Sequence, residues 1–328
     1  MKTNIVQPVE KAETVSAEST VIIGKNLKET LEINSSRVNK TTKEFYTPTK
    51  IIFEYVGYIN RTQLLGVADK KEYLRVAKNL LAELSNCGFE VGADWRDNRK
   101  LPFSKGNSKL SSDTVIINVG CSSLCSSANL LLCENCRVCY ALNSESRYLN
   151  TLIYRLEQLV RFESLSAEQI ADQFKNLRVF KFLRVNEGGD IFNKADIYKI
   201  KAVAEILHRT KGVYTYLYTH RTDLNLKDYQ TEYLKINDST VDYVAQLSVE
   251  SNHKTLFCDS NCENCIYCKI DCRVPITALY HGELIGVDNR DSYTVLRDNN
   301  IKTVSFNMFE TGATVGEIRE FIKNSLKI

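Results

Sequence analysis

Short apolar strands alternate with amphipathic helices from residue 114 onward, and this alternation constrains the fold more than any other feature of the sequence. The segments TVIINVG (114–120), RVFKFLRV (178–185) and GVYTYLYT (212–219) have the length and the β-branched or aromatic content of buried strands. Between them, apolar residues recur at helical spacing over 150–163 and 194–209. Strands that alternate with helices predict βαβ units and therefore an α/β fold with a parallel sheet.

The same pattern continues toward the C-terminus. Further strands are predicted at 241–249, 274–280 and 302–308. A helix is predicted to begin at Ser166, because Gln169 completes a capping box, and an amphipathic helix follows from Thr314. Six strands from residue 114 onward predict a partial (β/α) barrel or a parallel sheet, with an open doubly wound sheet as the main alternative.

The residues before 114 show a different pattern. The segment KIIFEYVGYI (50–59) is predicted to be a strand, because it is apolar and rich in β-branched and aromatic residues. Residues 69–86 have apolar residues at helical spacing, and Gly88 follows as a helix stop. The predicted organisation is a flexible polar tail (1–48), a small α+β extension with a basic segment (49–112) and a cysteine-rich (β/α) barrel-like domain with two metal-binding loops (113–328).

The composition is that of a globular protein and excludes several classes. The chain has 328 residues, of which 43% are hydrophobic and 25% are charged. It has no run of 18 or more apolar residues, so no contact with a membrane is predicted. The first residues lack the apolar core of a signal peptide, which predicts a cytoplasmic protein. A formal net charge of +3 implies no particular partner.

Two groups, at 121–139 and 258–272, contain all of the 11 cysteines except Cys87. Cytoplasmic thiols are kept reduced, so cysteines this dense predict metal or redox chemistry. Gaps of two or three residues let a tight loop direct several thiolates at one centre. The candidate metal ligands are Cys121, Cys125, Cys133, Cys136 and Cys139 in the first group, and Cys258, Cys262, Cys265, Cys268 and Cys272 in the second.

Neither group contains a histidine between its cysteines. Mixed Cys/His ligand sets are common for zinc, so five thiols per group favour an iron–sulfur cluster, in particular a [4Fe–4S] cluster. Zinc sites made of cysteine alone are also well known, and zinc stays an open alternative. The spacing is compatible with one shared centre and with two separate centres.

Polar residues follow several of the predicted strands directly. In α/β folds, sites form at the carboxyl ends of parallel strands, so these residues are expected to face one edge of the sheet. A carboxylate there can bind hydroxyl or amino groups, and an arginine can bind a carboxylate or a phosphate. A structural role stays open, since Asp190 is also placed to cap the helix that begins near Asn193. The candidate cofactor- or substrate-binding residues are Asn186, Glu187, Gly189, Asp190, His220, Arg221 and Glu250.

A basic segment with aromatic residues spans 95–109 and has a net charge of +4. Lysine and arginine can neutralise phosphates while Trp95 or Phe103 stacks on a base, so the segment predicts contact with DNA or RNA. A solvated surface is the structural alternative. The candidate nucleic-acid contacts are Arg96, Arg99, Lys100, Lys105 and Lys109. No glycine-rich phosphate loop and no G-x-S-x-G motif occurs in the sequence.

The cysteine motifs carry two resemblances. The C-x3-C-x2-C spacing of Cys258, Cys262 and Cys265 resembles the three-cysteine loop of radical S-adenosylmethionine enzymes, whose [4Fe–4S] cluster binds that cofactor. Five segments together resemble the phage gene product 88 family, which is found in phages and other mobile elements. They are CYA (139–141), FLRVNEGGDIF (182–192), YTHRTDL (218–224), LSVE (247–250) and CENCIYC (262–268). The family resemblance implies a cysteine-bound metal centre, a distant likeness to radical-SAM barrels and, for a phage protein, an infected host cell.

Three hypotheses about function follow from these features. The first is an iron–sulfur enzyme of radical-SAM-like architecture, with S-adenosylmethionine as cofactor, that modifies a nucleic acid or a nucleotide. The second is a non-catalytic, metal-bound nucleic-acid-binding protein in phage replication or gene control. The third is an interaction protein with structural zinc. The polar residues at the strand ends favour the first hypothesis, and the basic segment favours the second.

Overall fold

The structure, a computed structural model, describes most of the chain between residues 21 and 238 and a few later residues. The described residues are 21–39, 42–92, 100–107, 110–133, 139–238, 256–258, 269 and 276–278. The strands predicted at 241–249 and 302–308 and the helix predicted from Thr314 lie outside these residues. None of the described helices is long and apolar enough to cross a membrane.

Five strands form the main sheet of the described residues. In chain order they are β1 (Ser104–Asn107), β2 (Leu110–Ile117), β3 (Phe182–Val185), β4 (Tyr214–Thr219) and β5 (Leu234–Asp238). The strands lie side by side in this same order, with β1 antiparallel to β2 and the other four strands parallel. Two further strands, β6 (Leu256–Cys258) and β7 (Ile276–Ala278), pair in parallel. The structure thus confirms the α/β class with a mostly parallel sheet.

The helices of the described residues lie before the sheet and in its crossover connections. They are α1 (Leu27–Asn34), α2 (Pro48–Ile59), α3 (Lys70–Asn86), α4 (Ser126–Asn129), α5 (Tyr140–Arg147), α6 (Leu149–Ser164), α7 (Ala167–Asp172) and α8 (Lys194–Lys211). The helices predicted at 69–86, 150–163 and 194–209 are therefore confirmed. The capping box is also confirmed, because Ser166 and Gln169 exchange hydrogen bonds at the start of α7.

One face of the sheet packs against the crossover helices. Val115, Leu183 and Leu217 are buried on this face, since alternate residues of a strand point to the same side. They share one hydrophobic core with Ile170 of α7 and Ile200 of α8. The crossovers from β2 to β3 and from β3 to β4 therefore cover the same face of the sheet. Because β2, β3 and β4 are parallel, the loops that follow them lie together at one edge of the sheet.

The opposite face of the sheet carries aromatic and polar residues. Ile116, Arg184 and Tyr216 lie side by side in neighbouring strands, and both Ile116 and Tyr216 are buried. Lys269, which lies within the second cysteine group, is buried as well, and its Nζ lies 4.6 Å from the centroid of the Phe182 ring. Lys269 thus contacts the face of the sheet that lies opposite the helices.

The segment predicted as a strand at 50–59 is helical, so that prediction is wrong. It belongs to α2, which begins at Pro48 after Thr47, whose side chain accepts a hydrogen bond from Lys50 N. A Thr cap and a Pro in the first turn are helix-start features. The spacing of the apolar residues decides the structure, because it places most of them on one buried helical face. The buried residues are Ile51, Ile52, Tyr55, Val56 and Ile59.

Helix α1 and strand β5 are two of the elements that were not predicted from the sequence. Helix α1 lies within the segment predicted to be a flexible tail, but Asn26 caps it and Leu27 is buried in the core. A helix this short gains its stability from packing rather than from propensity, so its mostly polar sequence gives little indication of it. Strand β5 has only two apolar residues, Leu234 and Ile236, which is too few to predict a strand from the sequence. Its backbone pairing with β4 identifies it as one.

The N-terminal helices pack directly on the α/β part of the chain. Tyr73 of α3 and Leu124 of the first cysteine group belong to the same cluster of buried side chains. Lys70, buried at the start of α3, pairs with Glu163 of α6 at 2.5 Å and with Asp196 of α8. In the extension predicted at 49–112, the elements described before residue 92 are all helical, and the one complete strand among its described residues, β1, belongs to the main sheet.

Candidate functional site

Polar residues from three loops meet at the carboxyl ends of β2, β3 and β4. The loops are 118–125, 186–192 and 220–223. Parallel pairing of the three strands brings the loops to one edge of the sheet, as the strand order requires. The candidate cofactor- or substrate-binding residues in these loops are Asn186, Glu187, Gly189, Asp190, His220 and Arg221. Glu250 lies outside the described residues.

Asp190 is the centre of a buried hydrogen-bond network. Its Oδ1 accepts hydrogen bonds from Thr219 Oγ1 and from Ile191 N, both at 2.7 Å. Its Oδ2 accepts hydrogen bonds from Ser127 Oγ at 2.6 Å and from His220 N at 2.7 Å. Burial raises the pKa of the Asp190 carboxyl, and the hydrogen bonds from Ser127 and Thr219 oppose that rise. The carboxylate thus joins the first cysteine group to the loop after β4.

Arg221 is also buried and makes its hydrogen bonds away from Asp190. Its Nη1 donates to Ile191 O at 2.8 Å and to Phe192 O at 2.6 Å. Its Nε and Nη2 each donate to the Asp223 carboxylate at 2.8 Å, which lowers the pKa of Asp223. Arg221 therefore links the loop after β3 to its own loop. Binding of a polar ligand between Asp190 and Arg221 stays a prediction, and in the structure both side chains hydrogen-bond within the chain.

Two asparagines link the loops after β2 and β3. Asn118 Oδ1 accepts hydrogen bonds from Glu187 N at 2.7 Å and Gly188 N at 3.1 Å. In return, Val119 N donates to Asn186 Oδ1 at 2.9 Å. Asn186 has a φ of 68°, a conformation that Asn adopts more readily than most residues. The helix-capping role considered for Asp190 belongs instead to Asn193, whose side chain accepts from the Asp196 amide of α8.

The two glycines of the loop after β3 permit its close approach to the first cysteine group. A Cβ on Gly188 would lie 2.6 Å from Arg155 Nη1 and from Ser122 Oγ. Gly189 has a φ of 76°, and a Cβ there would lie 2.6 Å from the carbonyl carbon of Gly120 and 2.8 Å from Cys121 N. Side chains at these two positions would therefore collide with Arg155 and Ser122 and with the backbone of Gly120 and Cys121.

A buried ion pair supports the first cysteine group at both ends. Glu145 of α5 accepts hydrogen bonds from Ser122 N at 2.8 Å and Ser123 N at 2.7 Å, just after Cys121. Arg155 of α6 donates to Glu145 at 2.8 Å and to Ala141 O at 3.0 Å, just after Cys139. Neither residue was predicted from the sequence, because each looks like an ordinary charged residue of an amphipathic helix.

Four cysteines of the first group are described, and they lie at the same edge of the sheet. Burial raises the pKa values of the Cys121, Cys125 and Cys139 thiols, because a thiolate loses its hydration inside the protein. The neighbouring charges of Cys133 and Cys139 raise the pKa of Cys125 further, and Cys133 does the same for Cys139. Cys125, Cys133 and Cys139 are therefore electrostatic neighbours.

The other candidate ligands are not described in the structure, apart from the backbone of Cys258 in β6. They are Cys136, Cys262, Cys265, Cys268 and Cys272. Among the described residues, no three Cys, His, Asp or Glu side chains lie at metal-binding distances from one point. The described cysteines also form no disulfide with one another. Convergence of the two cysteine groups on one centre stays untested.

His220 lies between Asp190 and the cysteines. Burial lowers the pKa of its ring, but the hydrogen bond and charge of Cys133 and the charge of Asp190 more than offset burial, so the net shift is upward. The Nδ1 atom lies 3.9 Å from Asp190 Oδ2. His220 therefore lies at the carboxyl edge of the sheet, and its role as a site residue stays a prediction.

Helix α6 hydrogen-bonds to the chain on both sides of residues 93–99, which the structure does not describe. Glu157 accepts from Gly92 N at 2.5 Å, and Arg161 Nη1 donates to Lys100 O at 2.9 Å. The Lys100 and Lys105 side chains are exposed. The other predicted nucleic-acid contacts, Arg96, Arg99 and Lys109, lie outside the described residues.

A family model described as Gene product 88 matches residues 96–271, which is more than half of the chain. The match includes the main sheet, the first cysteine group and most of the second, and it leaves α1, α2 and α3 outside. No curated protein and no solved structure matches the chain.

Proposed function

Because the chain belongs to the gene product 88 family, we propose that it is a phage or mobile-element metalloprotein that binds an iron–sulfur cluster through its cysteine groups. One observation supports this proposal most strongly. Cys125, Cys133 and Cys139 are electrostatic neighbours at the carboxyl edge of the sheet, since a charge on Cys133 raises the pKa values of both the Cys125 and the Cys139 thiols. Cysteines this close together are best stabilised as thiolates by a bound cation.

The donor set fits an iron–sulfur cluster on chemical grounds. Such clusters are held by cysteine thiolates, and when bound they supply one-electron chemistry. The residues of this chain would hold and orient the thiolates. Glu145 and Arg155 support the two ends of the first group, and Asp190 binds Ser127 within it. Leu124 belongs to the hydrophobic core and helps to exclude water from this region.

A catalytic form of this proposal takes S-adenosylmethionine as a second cofactor and a nucleic acid or nucleotide as substrate. The sequential order of the parallel strands, with the crossovers on one face, favours the partial (β/α) barrel that such an enzyme would use. Glu187, whose side chain is 26% exposed, is the acidic candidate at this edge that solvent reaches. Calorimetry on cluster-loaded protein tests this form, and no heat of binding with S-adenosylmethionine would remove it.

Metal analysis after anaerobic purification tests the main proposal. We expect brown protein with bound iron and acid-labile sulfide, and loss of both when Cys125 and Cys139 are replaced by Ser. Colourless protein with stoichiometric zinc would instead support the alternative of structural zinc. A metal content that is independent of Cys125 and Cys139 would contradict binding by the first group.

Nucleic-acid binding without catalysis is the second candidate function, and the contacts of α6 favour it. Because Glu157 and Arg161 hold Gly92 and Lys100 to one helix, both ends of the stretch 93–99, which contains Arg96 and Arg99, are held to α6. Exposed Lys100 and Lys105 extend the positive charge beyond it. Titration of labelled DNA and RNA at low salt tests this candidate, and no binding to either would exclude it.

A further inference from the structure

Helix α4 and the residues after it connect Cys125 to Cys133, two of the proposed metal ligands, and the structure describes the whole connection. Its last residue, Leu132, donates a backbone hydrogen bond to Ser127 O at 2.8 Å. Leu131, one residue earlier, has a φ of 58°. These are the features of a Schellman motif, in which the left-handed residue is usually glycine. A leucine in this conformation is strained, so contacts outside the turn have to hold it in place.

Two serines of this turn hydrogen-bond to the loop after β3. Ser126 Oγ donates to Ile191 O at 2.8 Å, and Ser127 Oγ donates to Asp190 Oδ2 at 2.6 Å. Both serines and Asp190 are buried, so the hydrogen bonds are sheltered from water. The loop after β3 therefore holds the turn from one side.

A third anchor of the turn comes from the N-terminal helices. Asn60, directly after α2, exchanges two side-chain hydrogen bonds with Asn129, the last residue of α4, at 2.8 and 3.0 Å. Gly66 N also donates to Asn129 O at 2.8 Å, and Asn129 N donates to Cys125 O at 3.0 Å. Asn129 is buried, with 3% of its surface exposed. The hydrogen bonds of Asn129 thus connect the N-terminal helices to the backbone of Cys125.

The position of this anchor in the chain distinguishes it from the two serines. Ser126, Ser127 and their partners lie within the region 96–271 that the family model matches, whereas Asn60 lies before that region. The family-matched region therefore contains the first two anchors of the turn, and the N-terminal helices supply the third.

We propose that the N-terminal helices, through Asn60, position the turn between Cys125 and Cys133 and thereby control how long the first cysteine group retains its metal. This inference rests on the proposed metal centre at that group. A ligand that is already held in place loses less conformational freedom on binding, so the metal is bound more tightly and released more slowly. Asn60 is a positioning residue, because it acts on Cys125 through Asn129.

Another hydrogen bond of the same helices provides a matched control. Tyr55 OH donates to Glu83 Oε2 at 2.9 Å and so joins α2 to α3 rather than to the turn. Tyr55→Phe removes this hydrogen bond and keeps the aromatic ring. The variants to compare are Asn60→Ala, Asn129→Ala, the double variant of both and Tyr55→Phe. Because Asn60 is half-buried, Asn60→Ala carries the test if Asn129→Ala fails to fold.

Two rates are measured on the full chain. Each variant is purified anaerobically, bound iron and zinc are determined per chain, and the rate of metal loss to an added chelator is recorded. The metal is then removed, and the rate at which iodoacetamide alkylates Cys125 is followed by mass spectrometry of its peptide. Alkylation needs no metal, so it tests the position of the turn separately from the proposed metal centre.

We expect Asn60→Ala and Asn129→Ala each to raise both rates about tenfold, because each leaves a side-chain amide without its partner. The double variant should resemble the single variants, since all three remove the same contact, and Tyr55→Phe should resemble the wild type. A wild-type rate of metal loss or of alkylation in Asn60→Ala would overturn the inference and leave the metal centre in place, and so would an equal rise in Tyr55→Phe. A wild type that binds neither iron nor zinc would overturn the proposed function and, with it, the inference.

Discussion

Arg155 Nη1 lies 2.8 Å from Glu145 Oε1, and both side chains are buried beneath the first cysteine group. This ion pair joins the two ends of the loop, since Glu145 binds the backbone after Cys121 and Arg155 binds the backbone after Cys139. The thiols of the loop are therefore positioned by charged residues that no metal ligand motif includes.

Loss of Arg155 should destabilise the protein strongly. Arg155→Ala leaves the Glu145 carboxylate buried and without its cation, a change that costs about 3–5 kcal/mol in buried pairs. Arg75→Ala is the matched control, because Arg75 pairs with Glu72 on the surface and such pairs contribute about 0.2–1 kcal/mol. The free energy of unfolding in urea measures both changes. Equal losses in the two variants would show that the buried pair does not support the fold.

A side chain at Gly189 should separate the loop after β3 from the first cysteine group. In Gly189→Ala the Cβ meets the backbone of Gly120 and Cys121, in addition to the strain of a φ of 76°. Gly88→Ala is the control, because Gly88 has a φ of 82° with nothing within 4 Å of a Cβ, so it reports the strain alone, about 1–2 kcal/mol. We expect Gly189→Ala to lose about 1–3 kcal/mol more than Gly88→Ala in thermal or urea unfolding. A smaller loss than in the control would mean that the close approach is not maintained in solution.

Metal-free protein should lose stability as the pH rises above about 8, where an unfolded cysteine begins to ionise. The folded chain holds the pKa values of Cys121 and Cys125 well above their usual range, so the unfolded state releases protons first. The stabilisation that the raised thiol pKa values provide is therefore fully present below the pKa of the unfolded cysteines. It is lost as the pH rises, by at most about 1.4 kcal/mol per pH unit for each thiol. Urea unfolding between pH 7.5 and roughly 9.5, below the tyrosine range, measures the slope. Cys125→Ser should lower the slope, and an unchanged slope would contradict the burial of that thiol.

Nucleic-acid binding, if present, should depend on salt through Lys100 and Lys105. Each neutralised phosphate contributes roughly 0.7 to 0.9 to the slope of log affinity against log salt, so replacing both lysines by Ala should reduce the slope by about 1.4 to 1.8. Lys175→Ala is the control, because Lys175 is exposed, lies outside the basic segment and pairs with Asp172. Fluorescence anisotropy over a salt series measures the slopes. If the wild type and the double variant had the same slope, Lys100 and Lys105 would not contact phosphates, and the basic segment would be an ordinary solvated surface.

Several features of the fold follow from local sequence alone. The helices α3, α6 and α8 and the strands β2, β3 and β4 have a period and a length that few other structures satisfy, and the structure contains them. The residues that directly follow β3 and β4, among them Asn186 and Arg221, lie at one edge of the sheet because neighbouring parallel strands end at the same edge. Such predictions succeed because they depend on residues close together in the chain.

Other features depend on contacts between residues that are far apart in the chain, so only the tertiary structure decided them. The apolar segment 50–59 forms a helix because burial of one helical face against the core outweighs its β-branched content. Asp190 binds Ser127, Thr219 and the His220 amide rather than Arg221, and no local pattern of charge determines that choice. Glu145 and Arg155 are indistinguishable in sequence from surface charges. Their burial follows from where α5 and α6 pack, since a charged group in the interior is stable only beside its partners.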